Sequence, residues 1–139
     1  MAVRNAEAAW EGSLKEGKGT MRLGSGAWEG PYSFKTRFEG APGANPEELL
    51  GAAHAGCFSM ALSAGLFKAG KTATSIDTKV VVILEGLAIT RIDLTTRAVV
   101  PGVTNAEFQA QAEDAKANCI VSRALSAVPM TLQATLVTG

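Results

Sequence analysis

The chain has 139 residues and a mass of 14.3 kDa, so its length favours one compact domain over residues 1–139. Hydrophobic residues make up 47% of the sequence and charged residues 19%, a balance that excludes an intrinsically disordered chain. The 13 basic and 13 acidic residues leave no net charge. We therefore expect no nucleic-acid partner, because binding to phosphates needs a basic surface.

In chain order, residues 1–44 come first, and their glycine-rich turns predict a meander of short β-hairpins. The segment 32–38 alternates between apolar and polar side chains, which predicts a strand with Arg37 on its polar face. The glycines and proline of 40–44 should end that strand.

A long helix is predicted next, over about 45–69. Asn45 can cap its N-terminus, and Pro46 suits the first helical position. Glu48 stands three residues after Asn45, which is the spacing of a capping box. Gly70 should end the helix as its left-handed cap.

The stretch 49–67 within this helix contains no Asp, Glu, Lys or Arg. It reaches the length of roughly 18 residues that a transmembrane helix requires. Glycine, serine and histidine dilute its apolar character, however, and a helix that is apolar all round also suits the centre of a globular fold. We therefore predict a core helix and no membrane partner.

The C-terminal half is predicted to contain strands over 75–84 and 87–100, a helix over 105–117, a short helical segment over 122–127 and a strand over 130–138. Alternation breaks within the second strand, so we expect a β-bulge in this hairpin. Thr104 and Glu107 have capping-box spacing at the start of the next helix. This order of elements predicts an α+β fold with an antiparallel sheet.

The two cysteines, Cys57 and Cys119, are too few for a disulfide-stapled secreted scaffold. With His54 as the only histidine, a closed zinc site would need carboxylates to complete its four ligands, so we expect no metal. Residues 1–10 contain no apolar segment of the signal-peptide type, and we therefore predict a cytoplasmic protein.

Cys57 falls in the middle of the long helix, where a small core residue is the simplest interpretation. A reactive thiolate there would need a cation from elsewhere, because an apolar site raises the thiol pKa. His54 lies three residues earlier on the same helical face, which leaves open a cysteine hydrolase with a Cys57/His54 pair. Arg37 is the better candidate cation, since a guanidinium stays charged when desolvated.

Several segments together resemble the OsmC branch of the OsmC/Ohr peroxiredoxin-like family. The most specific are Thr-Arg-Phe-Glu-Gly at 36–40 and Asn-Pro-Glu-Glu-Leu-Leu-Gly-Ala-Ala-His-Ala-Gly-Cys-Phe-Ser-Met-Ala-Leu at 45–62. Shorter matches are Trp-Glu-Gly at 10–12, Gly-Lys-Gly-Thr at 17–20, Thr-Ser-Ile-Asp at 74–77, Ala-Ile-Thr at 88–90 and Val-Pro-Gly at 100–102. The resemblance covers nearly the whole chain. It implies an OsmC-like α+β fold, with an antiparallel sheet packed on a long central helix, in an intertwined homodimer.

The resemblance also implies a thiol-dependent peroxidase that reduces organic hydroperoxides without a cofactor. Cys57 matches the peroxidatic cysteine, Cys119 the resolving cysteine, Arg37 the arginine that stabilises the thiolate, and Glu47 the glutamate that orients this arginine. A Cys57 sulfenic acid and then a Cys57–Cys119 disulfide are expected, with a dithiol such as a dihydrolipoyl protein as the reductant. Relatives often have a proline after the resolving cysteine, where this chain has Ile120.

Phe38, Phe58 and Met60 are candidate substrate contacts, because they are close in sequence to the matched residues. Glu47 and Cys57 lie ten residues apart, which is about 15 Å along one straight helix and about 280° of rotation. They cannot touch within that helix, so either Arg37 spans the gap or a second subunit supplies Glu47. We therefore expect an obligate dimer with composite active sites.

Two alternatives to the peroxidase stay open at this point. One is a non-catalytic stress or binding protein with the same fold, in which both thiols are core residues. The other is the cysteine hydrolase, which would depend on His54 and not on peroxide.

Overall fold

The computed structural model describes residues 1–137 and confirms the α+β class. Its elements are β1 (Ala6–Glu11), β2 (Lys18–Leu23), β3 (Glu29–Tyr32), α1 (Phe34–Phe38), α2 (Pro46–Lys68), β4 (Ser75–Glu85), β5 (Ala88–Val99), α3 (Asn105–Asn118), α4 (Ile120–Ala124) and β6 (Met130–Val137). The last strand was expected to reach Thr138, which lies outside the described residues.

The internal contacts divide the chain into two compact units, Met1–Leu49 and the residues from Leu50 onward. We call them the first unit and the second unit. The first unit contains the hairpin meander that the turns predict, with strand order β1-β2-β3 and antiparallel pairing throughout. A single domain over 1–139 stays a prediction.

The strand expected over 32–38 is wrong, because β3 ends at Tyr32 and α1 follows it. The Ser33 hydroxyl accepts a hydrogen bond from the Thr36 amide at 3.2 Å, and the Thr36 hydroxyl accepts one from the Ser33 amide at 2.9 Å. This reciprocal cap turns the backbone into a helix, since local side-chain bonds compete with strand pairing. Arg37 therefore lies on a short helix and not on a strand face.

Helix α2 begins and ends as predicted. The Asn45 side chain accepts a hydrogen bond from the Glu48 amide at 2.7 Å, and Gly70 has a φ of 78° beyond the C-terminus. Of the described helices, α2 is long and apolar enough to cross a membrane by length and composition alone. Three of its side chains, Phe58, Leu62 and Leu66, are fully buried in the second unit, which supports the core-helix interpretation.

The second unit has a sheet of order β4-β5-β6. Strands β4 and β5 pair antiparallel, and the expected bulge is confirmed by a register shift between Ile83 and Leu84. Strands β5 and β6, in contrast, pair parallel, with Ile92 opposite Met130. The expectation of a fully antiparallel sheet is therefore wrong for this pair. The helices α3 and α4 form the crossover connection that a parallel pair needs.

The capping box of α3 is confirmed by bonds of 3.2 Å and 2.9 Å between Thr104 and Glu107. Cys119 then ends α3 and caps α4, with its sulfur accepting a hydrogen bond from the Ser122 amide at 3.3 Å. Helix α4 accordingly begins at Ile120 and not at 122. Cysteine is not among the usual capping residues, which is why the sequence gives no sign of this start.

The hydrophobic core lies in the second unit. It contains Phe58, Leu62, Leu66, Ile92, Leu94, Ala98, Val100, Phe108, Ala112, Ala115 and Cys119, all with little or no exposed surface. Among the described residues of the first unit, in contrast, no hydrophobic side chain is buried to this degree. The two units therefore differ sharply in how much apolar packing stabilises each of them.

We expect Leu62→Ala to lower the free energy of unfolding by about 2–5 kcal/mol, because it removes buried methyl groups and leaves a cavity. Leu87 has 93% of its surface exposed, so Leu87→Ala is the matched control for the same substitution at an exposed site. Urea denaturation of the two variants measures the difference. Equal losses would contradict the burial of Leu62 in the core.

Candidate active site

The two thiols of the second unit lie side by side. The Cys119 side chain lies close enough to that of Cys57 to raise the pKa of its thiol, and both cysteines are free. Cys57 is half-buried, whereas only 3% of the Cys119 surface is exposed. The Val121 amide donates a hydrogen bond to the Cys57 sulfur at 3.4 Å. The break between α3 and α4 thus directs both a second sulfur and a backbone donor at Cys57.

The pKa of Cys57 is raised above its ordinary value, first because burial disfavours the thiolate. The Val121 amide opposes this by donating to the sulfur, the neighbouring Cys119 raises the pKa further, and the Ile120 amide lowers it. None of these groups of the second unit is a cation. Activation of Cys57 therefore needs a positive charge in addition to them.

Ile120 follows the predicted resolving cysteine, at the position where the resemblance led us to expect proline. It is the first residue of α4, a position that suits proline, so the backbone of the helix needs no change. Its amide acts on the Cys57 sulfur, and proline has no N–H to donate. The Ile120 amide therefore supplies the Cys57 sulfur with a donor that a proline at this position could not provide.

His54 is fully buried, and its Nε2 lies 2.7 Å from the Ser122 hydroxyl oxygen. That oxygen also accepts a hydrogen bond from the Cys119 thiol at 3.1 Å, while Nδ1 of His54 has no partner among the described residues. Burial lowers the pKa of His54 and so favours the neutral imidazole. The structure does not form the Cys57/His54 pair that the hydrolase alternative requires.

Arg37 and Glu47 form an ion pair within the first unit. Oε1 of Glu47 accepts hydrogen bonds from Nε of Arg37 at 3.0 Å and from Nη2 at 2.7 Å. Glu47 is buried, with 8% of its surface exposed, so the carboxylate fixes one side of the guanidinium. An arginine has five N–H donors, and the pair leaves others for a second acceptor.

The predicted substrate contacts lie in different surroundings. Phe38 lines an apolar pocket of about 270 Å³ in the first unit, together with Trp10, Leu14, Tyr32, Ser33, Phe34 and Arg37. Met60 is exposed, whereas Phe58 is fully buried in the core. Phe58 therefore packs the fold, and we omit it from the proposed substrate contacts. Among residues 1–137, no three side chains of the metal-ligating types are grouped.

Ser122 is the site residue that sequence reasoning missed. It contacts Cys119 and His54, which are 3 and 68 residues away along the chain. The spacing of Cys119 and Ser122 equals that of a cap and its helix, which is the one local signal for the first contact. No sequence pattern indicates the second contact, since it depends on the packing of α4 against α2.

Comparison with known proteins identifies relatives over most of the chain. The family model described as OsmC-like protein matches residues 38–133. Peroxiredoxin OsmC of Escherichia coli (strain K12) is 51% identical over 129 residues, which cover 89% of this chain and 90% of the relative.

Two solved structures share the fold at low identity. The OsmC-like protein of Mycoplasma pneumoniae has a TM-score of 0.76 and 15% identity, covering 98% of each chain. The organic hydroperoxide resistance protein OsmC of Legionella pneumophila has a TM-score of 0.71 and 19% identity, covering 97% of this chain and 99% of the other.

We expect stability to fall as the pH falls from about 7 to about 5, because burial lowers the pKa of His54 below its ordinary value of 6.5. The unfolded state then binds the proton more tightly than the folded state, so acid favours unfolding. One such group contributes at most about 1.4 kcal/mol per pH unit. Urea denaturation across this range measures the slope.

The control for this slope is His54→Gln, which keeps a hydrogen-bonding side chain but does not titrate. His54 is the only histidine, so no other imidazole contributes. The variant should show a flatter dependence on pH. The same slope in both proteins would contradict the assigned direction of the pKa.

Proposed function

The chain belongs to the OsmC-like family, and from that premise we propose that it is a thiol peroxidase that reduces organic hydroperoxides to alcohols. The observation that carries the proposal is the contact between Cys57 and Cys119, two free thiols that meet although they are far apart along the chain. The names of the relatives from Escherichia coli and Legionella pneumophila support the same chemistry.

In the proposed first step, the Cys57 thiolate attacks the distal oxygen of the hydroperoxide. A sulfur–oxygen bond forms, the oxygen–oxygen bond breaks, and the alkoxide takes a proton and leaves as the alcohol. Cys57 becomes a sulfenic acid and the peroxide is reduced. The Val121 and Ile120 amides support this step, since hydrogen bonds to the sulfur favour the thiolate.

Arg37 is the proposed cation of this first step. A guanidinium beside Cys57 would lower the thiol pKa and stabilise the negative charge that develops on the leaving oxygen. Glu47 is proposed to orient it, because the buried carboxylate already holds Nε and Nη2 in one direction. The apolar pocket that Phe38 lines beside Arg37 suits the alkyl part of a substrate, and the exposed Met60 is the second proposed contact.

In the proposed second step, the Cys119 sulfur attacks the Cys57 sulfur, a disulfide forms and water leaves. This step protects Cys57 from irreversible oxidation by further peroxide. A dithiol reductant, of which a dihydrolipoyl protein is one example, would then restore both thiols. We place this cycle in the cytoplasm, because its thiols must be reduced again after each turnover.

An obligate homodimer with composite sites is part of the proposal. The first unit buries no hydrophobic side chain to core level among its described residues, although it contains Trp10 and the aromatic pocket. Only 28% of the most apolar 18-residue window of α2 is buried within the chain. The exposed residues of this helix include Ala52, Ala53, Gly56, Met60, Ser63, Ala64 and Phe67, which are all uncharged. A second copy would cover such surfaces, since association removes apolar area from water.

The peroxidase is tested by mass spectrometry after one equivalent of cumene hydroperoxide. The chain should lose two hydrogen atoms as a Cys57–Cys119 disulfide. Cys119→Ser should stop at the Cys57 sulfenic acid, and Cys57→Ser should not react with the peroxide. Thiols that remain unmodified in the intact chain would favour the non-catalytic alternative instead.

The role of the ion pair is tested by the rate of peroxide consumption. Arg37→Gln should lower the second-order rate constant by about 10²–10³, the usual loss when one donor to a developing charge is removed. Glu47→Gln should lower it by roughly tenfold to hundredfold, because the cation stays but loses its orientation.

The matched control for Glu47→Gln is Glu48→Gln, which changes the next residue of the same helix. Glu48 is exposed and outside the ion pair, so its variant should keep the native rate. Equal losses in the two glutamate variants would show a general effect of charge and contradict the orienting role of Glu47.

A further inference from the structure

A buried chain of hydrogen bonds behind the two thiols has no role in the steps described so far. The Cys119 thiol donates to the Ser122 hydroxyl oxygen at 3.1 Å, and this oxygen lies 2.7 Å from Nε2 of His54. All three side chains are buried. We call Cys119, Ser122 and His54 the thiol relay.

The Ser122 hydroxyl has one proton and two lone pairs. Its oxygen accepts the Cys119 proton, and its own proton can be donated to Nε2 of His54 when that nitrogen is unprotonated. In this tautomer the imidazole proton is on Nδ1, an atom that has no hydrogen-bond partner among the described residues. The relay requires this tautomer, because Nε2 must be the acceptor.

This arrangement stabilises the fold poorly. A buried polar group without a partner costs about 1–3 kcal/mol, and an apolar residue in place of His54 would avoid that loss. Phe58, Leu62 and Leu66, which α2 contributes to the hydrophobic core beside His54, are all apolar, so packing of this core does not require an imidazole. An unsatisfied buried group of this kind indicates a chemical role.

Closure of the disulfide needs such a role. The thiolate is the attacking form of a cysteine, and Cys119 is too deeply buried to lose its proton to bulk water. The relay supplies the acceptor, because two hydrogen bonds connect the sulfur through the Ser122 hydroxyl to the buried His54 imidazole.

We propose that Ser122 and His54 form the proton acceptor for Cys119 when its sulfur attacks the Cys57 sulfenic acid, a role that rests on the proposed peroxidase function. The Cys119 proton passes to the Ser122 oxygen as the hydroxyl proton passes to Nε2 of His54. The sulfur–sulfur bond forms and the sulfur–oxygen bond of the sulfenic acid breaks. The hydroxide departs on the side opposite the attacking sulfur, takes a proton from water and leaves as water, and the His54 imidazolium returns its proton to solvent when the site opens for reduction.

In this scheme Ser122 touches the reacting sulfur, and His54 is a positioning residue that acts through it. Electrons balance between the two sulfurs, because Cys119 is oxidised by the sulfenic acid of Cys57. The relay has no part in the attack on the peroxide, so it separates the two steps of the cycle.

The test follows one turnover with cumene hydroperoxide, using dimedone to trap the sulfenic acid and mass spectrometry to count each species. In His54→Gln and Ser122→Ala the Cys57 sulfenic acid should still form, and its conversion to the disulfide should slow by about 10²-fold, as expected when a general base is lost. Ser122→Thr should restore much of the rate because it restores the hydroxyl. Ser59→Ala is the matched control. Ser59 is on the same helix as His54, but its hydroxyl donates to Thr78 and not to a thiol.

A second measurement reads the relay without kinetics. Because the chain has one histidine, the nitrogen NMR signals of its imidazole need no further assignment. In the reduced protein, Nδ1 should be protonated and Nε2 unprotonated. A proton on Nε2 would overturn the proposal, since that nitrogen would then donate to Ser122 and accept nothing.

The kinetic outcomes separate this proposal from the proposed function. Disulfide formation at the native rate in both His54→Gln and Ser122→Ala would overturn the relay and leave the peroxidase intact. Absence of any sulfenic acid in the native protein would overturn the peroxidase itself. If His54→Gln does not fold, Ser122→Ala and the imidazole signals decide the question.

Discussion

The break between α3 and α4 at Cys119 is the constraint on which the rest of the site depends. With a φ of −60° and a ψ of 148°, Cys119 leaves the helical conformation for one residue, and α4 starts again in a new direction. Its sulfur accepts the Ser122 amide as a cap, meets the Cys57 thiol and donates to the Ser122 hydroxyl. An uninterrupted helix would leave the sulfur without the Ser122 amide, because that amide would bond a backbone carbonyl instead.

The proposed cation and the two thiols belong to different units of the chain. The Arg37–Glu47 pair belongs to the first unit, where a buried carboxylate holds the guanidinium in one direction. The thiols belong to the second unit, where burial raises the pKa of Cys57 and the backbone donors oppose that effect only in part. The proposed chemistry therefore depends on assembly as well as on folding, since neither unit contains all the groups that it needs.

The fold was predictable from the sequence wherever local chemistry decides it. Asn45 and Thr104 start their helices as expected, because a cap depends on residues only three positions apart. The segment 32–38 was mispredicted, because an alternating pattern and a short capped helix compete over the same residues and Ser33 decides in favour of the helix. The parallel pairing of β6 has no local signal at all, since it depends on how two helices cross the sheet.

The candidate site divides in the same way. Cys57, Arg37 and Glu47 could be proposed from the sequence because they fall in the contiguous segments 36–40 and 45–62. The contacts of Ser122 could not be predicted in this way. Ser122 and the orphaned Nδ1 of His54 become visible only when α4 lies against α2, because their contacts join segments 68 residues apart.

The uneven distribution of the hydrophobic core also affects how the protein is made. Because the chain leaves the ribosome from its N-terminus, the first unit emerges before any of the buried side chains from Phe58 to Cys119. A nascent segment of this size buries little apolar surface, so little free energy favours its early folding. Its strands remain available for pairing until the later half of the chain emerges, so chaperones and proteases compete for it during that interval.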